Sequence, residues 1–168
     1  AGQLPETLNR IMPEAVTDVH RAYINAGADV ISTNSFGANA VKLAPFGLDS
    51  ESEVFLAVSL AKKAADEADR KIYVAADIGP TGKLMPPLGD FSFEEAVNVF
   101  KNQAKALAAA DVDGFVIETM MDLQEARAAL IAVRELYCDA PVMVTLTFDE
   151  NQRTLTGVTP DAALITLQ

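Results

Sequence analysis

The sequence predicts an α/β fold in which parallel strands alternate with helices, and three observations support this prediction. Helix and strand signals alternate along all 168 residues. The predicted strands are short, rich in Val and Ile and apolar at consecutive positions, which is typical of sheets covered by helices on both faces. Successive strands begin about 30 to 45 residues apart, a separation that suits right-handed crossover connections. A complete eight-stranded barrel takes about 250 residues, so four strands amount to half a barrel or to a small open sheet.

The first half of the chain contains two predicted helices and two predicted strands. The first helix begins at Pro13, because proline is favoured at the first helical position, and ends near Ala26, where Gly27 stops it. Its buried face is expected to consist of residues at helical spacing: Val16, Val19, Tyr23 and Ala26. The elements that follow are a strand, a helix and a second strand, at residues 29–33, 52–69 and 72–76.

The second half continues the alternation. Its first helix begins with a capping box, in which the side chains of Ser92 and Glu95 each accept a hydrogen bond from the other residue's backbone N–H group, and it runs to about Ala110. Asp122 and Glu125 have the same spacing at the start of the next predicted helix. The remaining elements are a strand at 114–117, a helix at 122–137, a strand at 141–147 and, at 159–161, the first turn of a helix that the end of the chain truncates.

The composition excludes several classes of protein. The 50% hydrophobic content is too high for a disordered chain, yet no apolar run reaches the roughly 18 residues of a membrane-spanning helix. A net charge of −11 repels phosphate backbones and anionic membranes, so we expect no nucleic-acid or membrane partner. The single cysteine, Cys138, excludes a disulfide framework or an all-cysteine metal cluster formed by this chain alone, and it fits a reducing compartment. With no export signal at its start, the chain is expected to be a cytoplasmic enzyme or a part of one.

Polar side chains appear at the carboxyl end of each predicted strand. Asn34 follows the first strand, Asp77 follows the second and Glu118 follows the third. We call these three positions the rim residues, because ligands of parallel α/β folds bind beyond the carboxyl ends of the strands. Each residue taken singly could equally cap a helix or tie a loop, but their recurrence on successive strands favours a site. Two acids and an amide would suit a cationic amine or a divalent metal ion.

The segment 77–83 contains two glycines but does not match a nucleotide-binding loop. Its glycines are too close together for the phosphate-binding pattern G-x-x-x-x-G-K-[ST], and no helix is predicted directly after it. It also lacks the G-x-G-x-x-G of dinucleotide-binding folds. We therefore expect a tight turn that shapes the rim.

Five segments, in this order, resemble the homocysteine S-methyltransferase family, and in particular the homocysteine-binding module of cobalamin-dependent methionine synthase. The matching segments are HRAY with GADVI at 20–31, TNSFGA at 33–38, DIGPTG at 77–82, DG leading to ET at 113–119, and TLTF with LTG at 145–157. The resemblance covers nearly all of the chain and implies a (β/α)8 TIM barrel. Residues 1–168 would then form an incomplete homocysteine-binding barrel domain, without its opening strand and without the C-terminal half that carries the zinc ligands.

The resemblance also implies a reaction. In this family three cysteines hold a zinc ion that binds homocysteine as a thiolate, because metal coordination lowers the thiol pKa and lets the sulfur attack a methyl donor. In methionine synthase the donor is methylcobalamin, which is recharged from methyltetrahydrofolate on a neighbouring domain, whereas other members use simple methyl donors. Glu118 matches the glutamate that holds the amino group of homocysteine. Asn34 and Asp77 match positions that support the pocket or its loop geometry.

The one cysteine and the one histidine of the sequence are not expected to be metal ligands. The segments that carry the zinc cysteines are not in this sequence, and Cys138 lies near the end of a predicted helix, away from the carboxyl ends of the strands. His20 lies within the first helix beside its buried face, where packing or a hydrogen bond is expected. We therefore assign no catalytic residue and no metal ligand to this chain. Alone it is expected to be inactive, and to dimerise, exchange elements or require the missing strands.

Two other functions fit the same residues. In a different TIM-barrel enzyme, a lyase or an aldolase, Asp77 and Glu118 would hold Mg²⁺ or Mn²⁺ through oxygen ligands. A non-catalytic α/β module would instead use its acidic rim to bind a basic partner. Metal analysis separates the two enzymes, because zinc with sulfur ligands supports the methyltransferase and an oxygen-ligated ion supports the lyase or aldolase.

Overall fold

A four-stranded parallel sheet forms the centre of the fold. The computed structural model describes residues 4–168. The strands are β1 (Val30–Ser32), β2 (Tyr73–Ile78), β3 (Gly114–Met120) and β4 (Val142–Leu146). They lie in the sheet in chain order, and all three neighbouring pairs are parallel, which requires a crossover after each strand. This arrangement confirms the predicted α/β fold with four parallel strands and flanking helices.

Helices connect the strands and cover one face of the sheet. They are α1 (Leu8–Ile11), α2 (Pro13–Asn25), α3 (Ala40–Leu43), α4 (Ser50–Asp66), α5 (Phe93–Ala109), α6 (Leu123–Leu136) and α7 (Pro160–Leu167), with 3-10 turns at Pro5–Thr7 and Ala44–Phe46. The five longer helices correspond to the predicted ones. The short elements were not predicted, because three or four residues are too few to show a helical period. Within residues 4–168, no helix combines the length and the apolar character needed to cross a membrane.

The sequence pattern of a capping box occurs at the starts of α5 and α6, but only α5 forms the complete box. The capping box of α5 is confirmed, with Ser92 and Glu95 bonded to each other's backbone N–H groups. At the start of α6, Asp122 caps the helix as its position predicts, by accepting from the backbone N–H group two residues later. Glu125 does not complete a box there, because its carboxylate bonds to Thr81 in the loop after β2.

Helix α2 buries Val16 as predicted, but its other buried residues lie on a different face from the one predicted. It begins at Pro13 and stops before Gly27, whose φ of +103° is in the left-handed region that favours glycine. Val19, Tyr23 and Ala26, which were predicted to be buried, are exposed, the first two by 55% and 63%. The residues that α2 buries are Val16, Thr17, His20 and Ile24. The helix carries apolar side chains on two faces, and this chain covers only the face that packs on α4 and β1.

The two faces of the sheet differ in how well they are covered. The main hydrophobic core lies between the sheet and its helices, where Phe100 of α5 and Ile117 of β3 are fully buried. On the opposite face three apolar side chains are about half exposed: Val30 (54%), Tyr73 (47%) and Met143 (59%). In a closed barrel this second face is the interior, which side chains from all the strands fill. The exposure therefore agrees with an incomplete barrel.

Candidate active site at the carboxyl ends of the strands

All three rim residues lie at the carboxyl ends of strands. Asn34 comes two residues after β1, Asp77 is the penultimate residue of β2, and Glu118 lies near the end of β3. In the ladder between β2 and β3, Asp77 is opposite Val116. Because side chains alternate along a strand, Glu118 lies on the same side of the sheet as Asp77, two residues further along the neighbouring strand. The structure thus brings Asp77 and Glu118 together, and it places Asn34 in one cleft with Asp77.

A cleft of about 570 Å³ opens between α2 and β1 and reaches the rim. The residues that line it include Val19, His20 and Tyr23 from α2, Val30 from β1, and Asn34 and Asp77 from the rim. His20 is buried, and burial lowers its pKa, so the imidazole is neutral at neutral pH. The cleft therefore has apolar walls along the helix and polar groups at the end nearest the rim.

Asp77 is buried with one carboxyl oxygen unbonded. The side chain is 5% exposed, and its Oδ1 has no hydrogen-bond partner in the described part of the chain. Its backbone is held on both sides, because its N–H group donates to Thr33 Oγ1 at 3.0 Å and its carbonyl oxygen accepts from Ser35 Oγ at 2.7 Å. Burial, followed by the charges of Glu118 and Glu6, raises the pKa of Asp77 to about 8. At neutral pH this carboxyl group is therefore mostly protonated.

A β-bulge positions Glu118. Ile117 pairs with Val144 and Met120 pairs with Leu146, so Glu118 and the residue after it oppose a single residue of β4. The residue after it, Thr119, has a φ of +60°, which is uncommon for a side chain branched at Cβ. Its N–H group donates to Thr145 Oγ1 at 3.0 Å, a contact that holds this strained conformation. Bulges of this kind occur next to active sites, where they change the direction of a side chain.

Glu6 is an acid near Asp77 that the sequence analysis missed. It lies in the first 3-10 turn and is 1% exposed, and its carboxylate accepts a hydrogen bond from the N–H group of Gly37. A Cβ atom at Gly37 would lie 2.9 Å from Glu6 Oε1, so a side chain at this position would press on the carboxylate. The glycine at position 37 is the only sequence signal of this close contact. It does not show which residue makes the contact, because Glu6 lies 31 residues away in the chain.

Lys42 is a second charged residue that the analysis missed. It belongs to α3, is partly buried, and its Nζ lies 4.7 Å from the centre of the Phe36 ring. Burial lowers the pKa of Lys42, and the charges of Glu6, Glu125 and Asp77 oppose that shift. Lys42 therefore contributes positive charge to a neighbourhood with several acids.

Asn34 holds the N-terminal segment against the rim. Its side-chain amide donates to the carbonyl oxygen of Pro5 at 3.0 Å and to Asn9 Oδ1 at 2.9 Å, while the Asn9 amide donates to the carbonyl oxygen of Asn34 at 2.9 Å. These contacts use both donor hydrogens of the Asn34 amide. These contacts hold the segment after β1 against the N-terminal segment beside the cleft, and the supporting role of Asn34 stays a prediction.

The loop at 77–83 is a structural turn. Gly79 donates its N–H to the carbonyl oxygen of Phe36 at 3.0 Å, and a Cβ atom at Gly79 would lie 2.4 Å from the Phe36 ring. The N–H and hydroxyl groups of Thr81 both donate to Glu125 Oε1, at 2.7 and 2.6 Å. These contacts fix the loop between the segment after β1 and helix α6.

The residues of this chain do not fit a thiolate zinc site. Cys138 is exposed and follows α6, at the end of the sheet where β4 begins, opposite to the rim. No group of three or more His, Cys, Asp or Glu side chains that could hold a metal ion occurs in residues 4–168. A metal that the family implies would therefore need ligands from outside this chain.

Comparisons with known proteins identify the family. The model of the homocysteine S-methyltransferase family matches residues 3–168. Among solved structures, the metallated form of the homocysteine methyltransferase MmuM from Escherichia coli is similar, with a TM-score of 0.82 and 24% identity over 96% of this chain. Its oxidised form gives a TM-score of 0.80 and 25% identity, again over 96% of this chain. The chain spans 61% and 60% of the lengths of these two structures. Because the family model covers almost the whole sequence, the chain belongs to the homocysteine S-methyltransferase family.

Proposed function

We propose that this chain is the amino-acid-binding part of an enzyme that transfers a methyl group to the sulfur of homocysteine. The observation that carries the proposal is the family match over residues 3–168. The site agrees with it, since Asp77 and Glu118 lie on adjacent strands at the edge of the sheet where ligands of this fold class bind. The same match favours this function over a Mg²⁺- or Mn²⁺-dependent lyase or aldolase and over a non-catalytic binding module.

Glu118 is proposed to bind the ammonium group of homocysteine. An ionised carboxylate forms short, charge-assisted hydrogen bonds with an ammonium group, and these are stronger than bonds between neutral groups. Glu118 is only partly exposed, so water screens such a contact less than it would on an open surface. Asp77, on the neighbouring strand, offers a second carboxyl group. Binding the amino group at the rim would orient the rest of the amino acid for reaction at its sulfur.

The metal that activates the sulfur is proposed to lie outside this chain. A free thiol has a pKa of about 8.5 and is mostly protonated at neutral pH, whereas the attacking species is the thiolate. The donor set of this chain does not fit a zinc–thiolate site, so we propose that zinc is held by cysteines of the missing part of the barrel. The contribution of this chain is then to bind and orient the amino acid.

The methyl donor, the other domains and the cellular location are proposed from the resemblance alone. Methylcobalamin, recharged from methyltetrahydrofolate on other domains, is the proposed donor, and the product would be methionine. We propose a cytoplasmic enzyme in which this chain is completed by the missing barrel half. Isolated, the chain is proposed to dimerise or to exchange elements with a second copy, because β1 and β4 are both edges of the sheet.

Replacing Glu118 with Gln in the full-length protein tests the proposal. The change keeps the shape of the side chain and removes its charge, so homocysteine binding should weaken by about 2–5 kcal/mol, the usual result of removing one partner of a desolvated charge pair. Calorimetric titration with homocysteine measures the loss. Glu94→Gln is the matched control, because Glu94 is exposed in the first turn of α5. If Glu118→Gln binds homocysteine as tightly as the wild type does, the assignment is wrong.

A further inference from the structure

The carboxyl group of Asp77 lies in an environment that disfavours its charged form. Only 5% of the residue is exposed, and Oδ1 has no partner among residues 4–168. A carboxylate that is removed from water without a compensating hydrogen bond or cation is costly, and such a group takes up a proton instead. The same Asp77 lines the cleft that leads to the rim, so a ligand in the cleft would lie next to this carboxyl group.

The charged groups that face Asp77 come from several elements. Glu118 on β3 and Glu6 in the first 3-10 turn are acids, and both add to the effect of burial, which raises the pKa of Asp77 to about 8. Lys42 on α3 acts in the opposite direction but does not cancel the shift. His20 on α2 lines the same cleft and is neutral at pH 7, because burial lowers its pKa. Lys42 does not offset burial and the two acids, so an added cation would stabilise the ionised form of Asp77.

We propose that Asp77 is a positioning residue that carries a proton in the free protein and releases it to solvent when the ammonium group of the amino acid enters between Asp77 and Glu118. The inference rests on the function proposed above. The incoming ammonium group supplies positive charge next to Asp77 and donates a hydrogen bond to its carboxylate. The neutral carboxyl group becomes a carboxylate, the ammonium group keeps its three protons, and one proton passes to the buffer.

Proton release on binding can be counted by calorimetry. L-Methionine is titrated into the full-length protein at pH 7 in two buffers of different ionisation enthalpy, and the difference between the heats gives the number of protons released. Methionine is used because it has no thiol, so a proton lost from sulfur cannot contribute. We expect close to one proton per bound methionine for the wild type and almost none for Asp77→Asn. Asp69→Asn is the matched control, since Asp69 is exposed, and it should release as many protons as the wild type.

The pH dependence of the affinity gives a second readout that a purely structural role would not change. Below the pKa of Asp77, binding must first remove its proton, so the affinity of the wild type for methionine should rise by nearly tenfold between pH 6 and pH 7. In Asp77→Asn the affinity should be almost independent of pH over this interval. Thermal unfolding of the variant establishes that it is folded under the same conditions.

The outcomes separate this inference from the proposed function. If the wild type binds methionine without releasing a proton, the inference is wrong and the proposed function stands. The same holds if the wild type and Asp77→Asn release equal numbers of protons. If Asp77→Asn does not fold, the proton count of the wild type and its pH profile decide. If the full-length wild type binds neither methionine nor homocysteine, both proposals are wrong.

Discussion

Two buried carboxyl groups, those of Glu125 and Asp77, differ in their hydrogen bonds. Glu125 on α6 is 4% exposed and accepts two hydrogen bonds from Thr81, at 2.7 and 2.6 Å. Asp77, four residues before Thr81, is 5% exposed and leaves Oδ1 without a partner in the described chain. Burial raises the pKa of both groups. Burial alone therefore does not distinguish these two carboxyl groups, whereas their hydrogen bonds do.

The difference follows from where each group lies. Glu125 lies between a loop and a helix, and both of its partners come from the same residue of the chain, so folding alone completes the contact. Asp77 lies at the end of a strand beside a cleft, and no side chain of the described residues donates a hydrogen bond to its Oδ1. An unsatisfied buried group reduces stability, and Asp77 combines such a group with a position in the cleft. The three predictions below address this contrast and are ordered by expected effect.

The largest effect is expected from Asp77→Asn on the pH dependence of stability. Folding raises the pKa of Asp77 from 3.8 to about 8, so the folded state holds this proton more tightly than the unfolded state. The stability that depends on the bound proton is therefore lost as the pH rises through this interval. Between pH 5 and pH 8 the unfolding free energy of the wild type should fall by up to about 4 kcal/mol relative to that of Asp77→Asn, which lacks the ionisable group.

Urea denaturation of the full-length wild type and variant at several pH values measures this difference. Asp69→Asn, at an exposed position, should follow the wild type throughout. If the unfolding free energies of the wild type and Asp77→Asn change with pH in the same way, Asp77 is not a protonated buried acid. The proposed difference between Asp77 and Glu125 would then be wrong.

An intermediate effect is expected at Glu125. Glu125→Ala leaves the N–H and hydroxyl groups of Thr81 buried without an acceptor and opens a small cavity, so stability should fall by about 2–4 kcal/mol. Glu125→Gln keeps a carbonyl oxygen that can accept both bonds, and we expect a loss of less than about 1 kcal/mol. Urea denaturation of both variants at pH 7 checks the prediction. Equal losses in the two variants would mean that charge rather than hydrogen bonding matters here.

The smallest effect is expected from Thr81→Val. This change removes the 2.6 Å hydroxyl contact to Glu125 and keeps the backbone contact at 2.7 Å. A typical buried hydrogen bond contributes about 1 kcal/mol, so the unfolding free energy should fall by about that amount. Thermal unfolding of the full-length variant is sufficient to detect it. Unchanged stability would show that the backbone contact alone holds the loop.

The architecture and two rim acids were predictable because they depend on local patterns. Consecutive apolar residues mark each strand, and Asp77 and Glu118 appear where those runs end, so their place at the carboxyl edge follows from the strand direction. The capping box at Ser92 is likewise a short-range signal, and the structure confirms it. Such features need no knowledge of how distant segments pack.

Other parts of the site depend on packing and could not be predicted. Glu6 reaches Gly37 across 31 residues, and Lys42 approaches the same acids from a short helix that periodicity does not reveal. The buried face of α2 was predicted wrongly because Val19 and Tyr23 are apolar and regularly spaced, as core residues are. They face the cleft instead, so the apolar pattern marks a second surface rather than the core of this chain.

The extra residue in β3 lets one short strand serve two purposes. Without the bulge, Glu118 and Met120 would share a side of the sheet, since strand side chains alternate. With it, Met120 joins Ile117 in the fully buried core, three positions apart, while Glu118 stays at the rim. Deleting Thr119 would keep Met120 on the core side, because Met120 would then directly follow Glu118, but it would remove the bulge that sets the direction of the Glu118 side chain. A change in the length of this strand would therefore move the carboxylate even where it leaves the core in place.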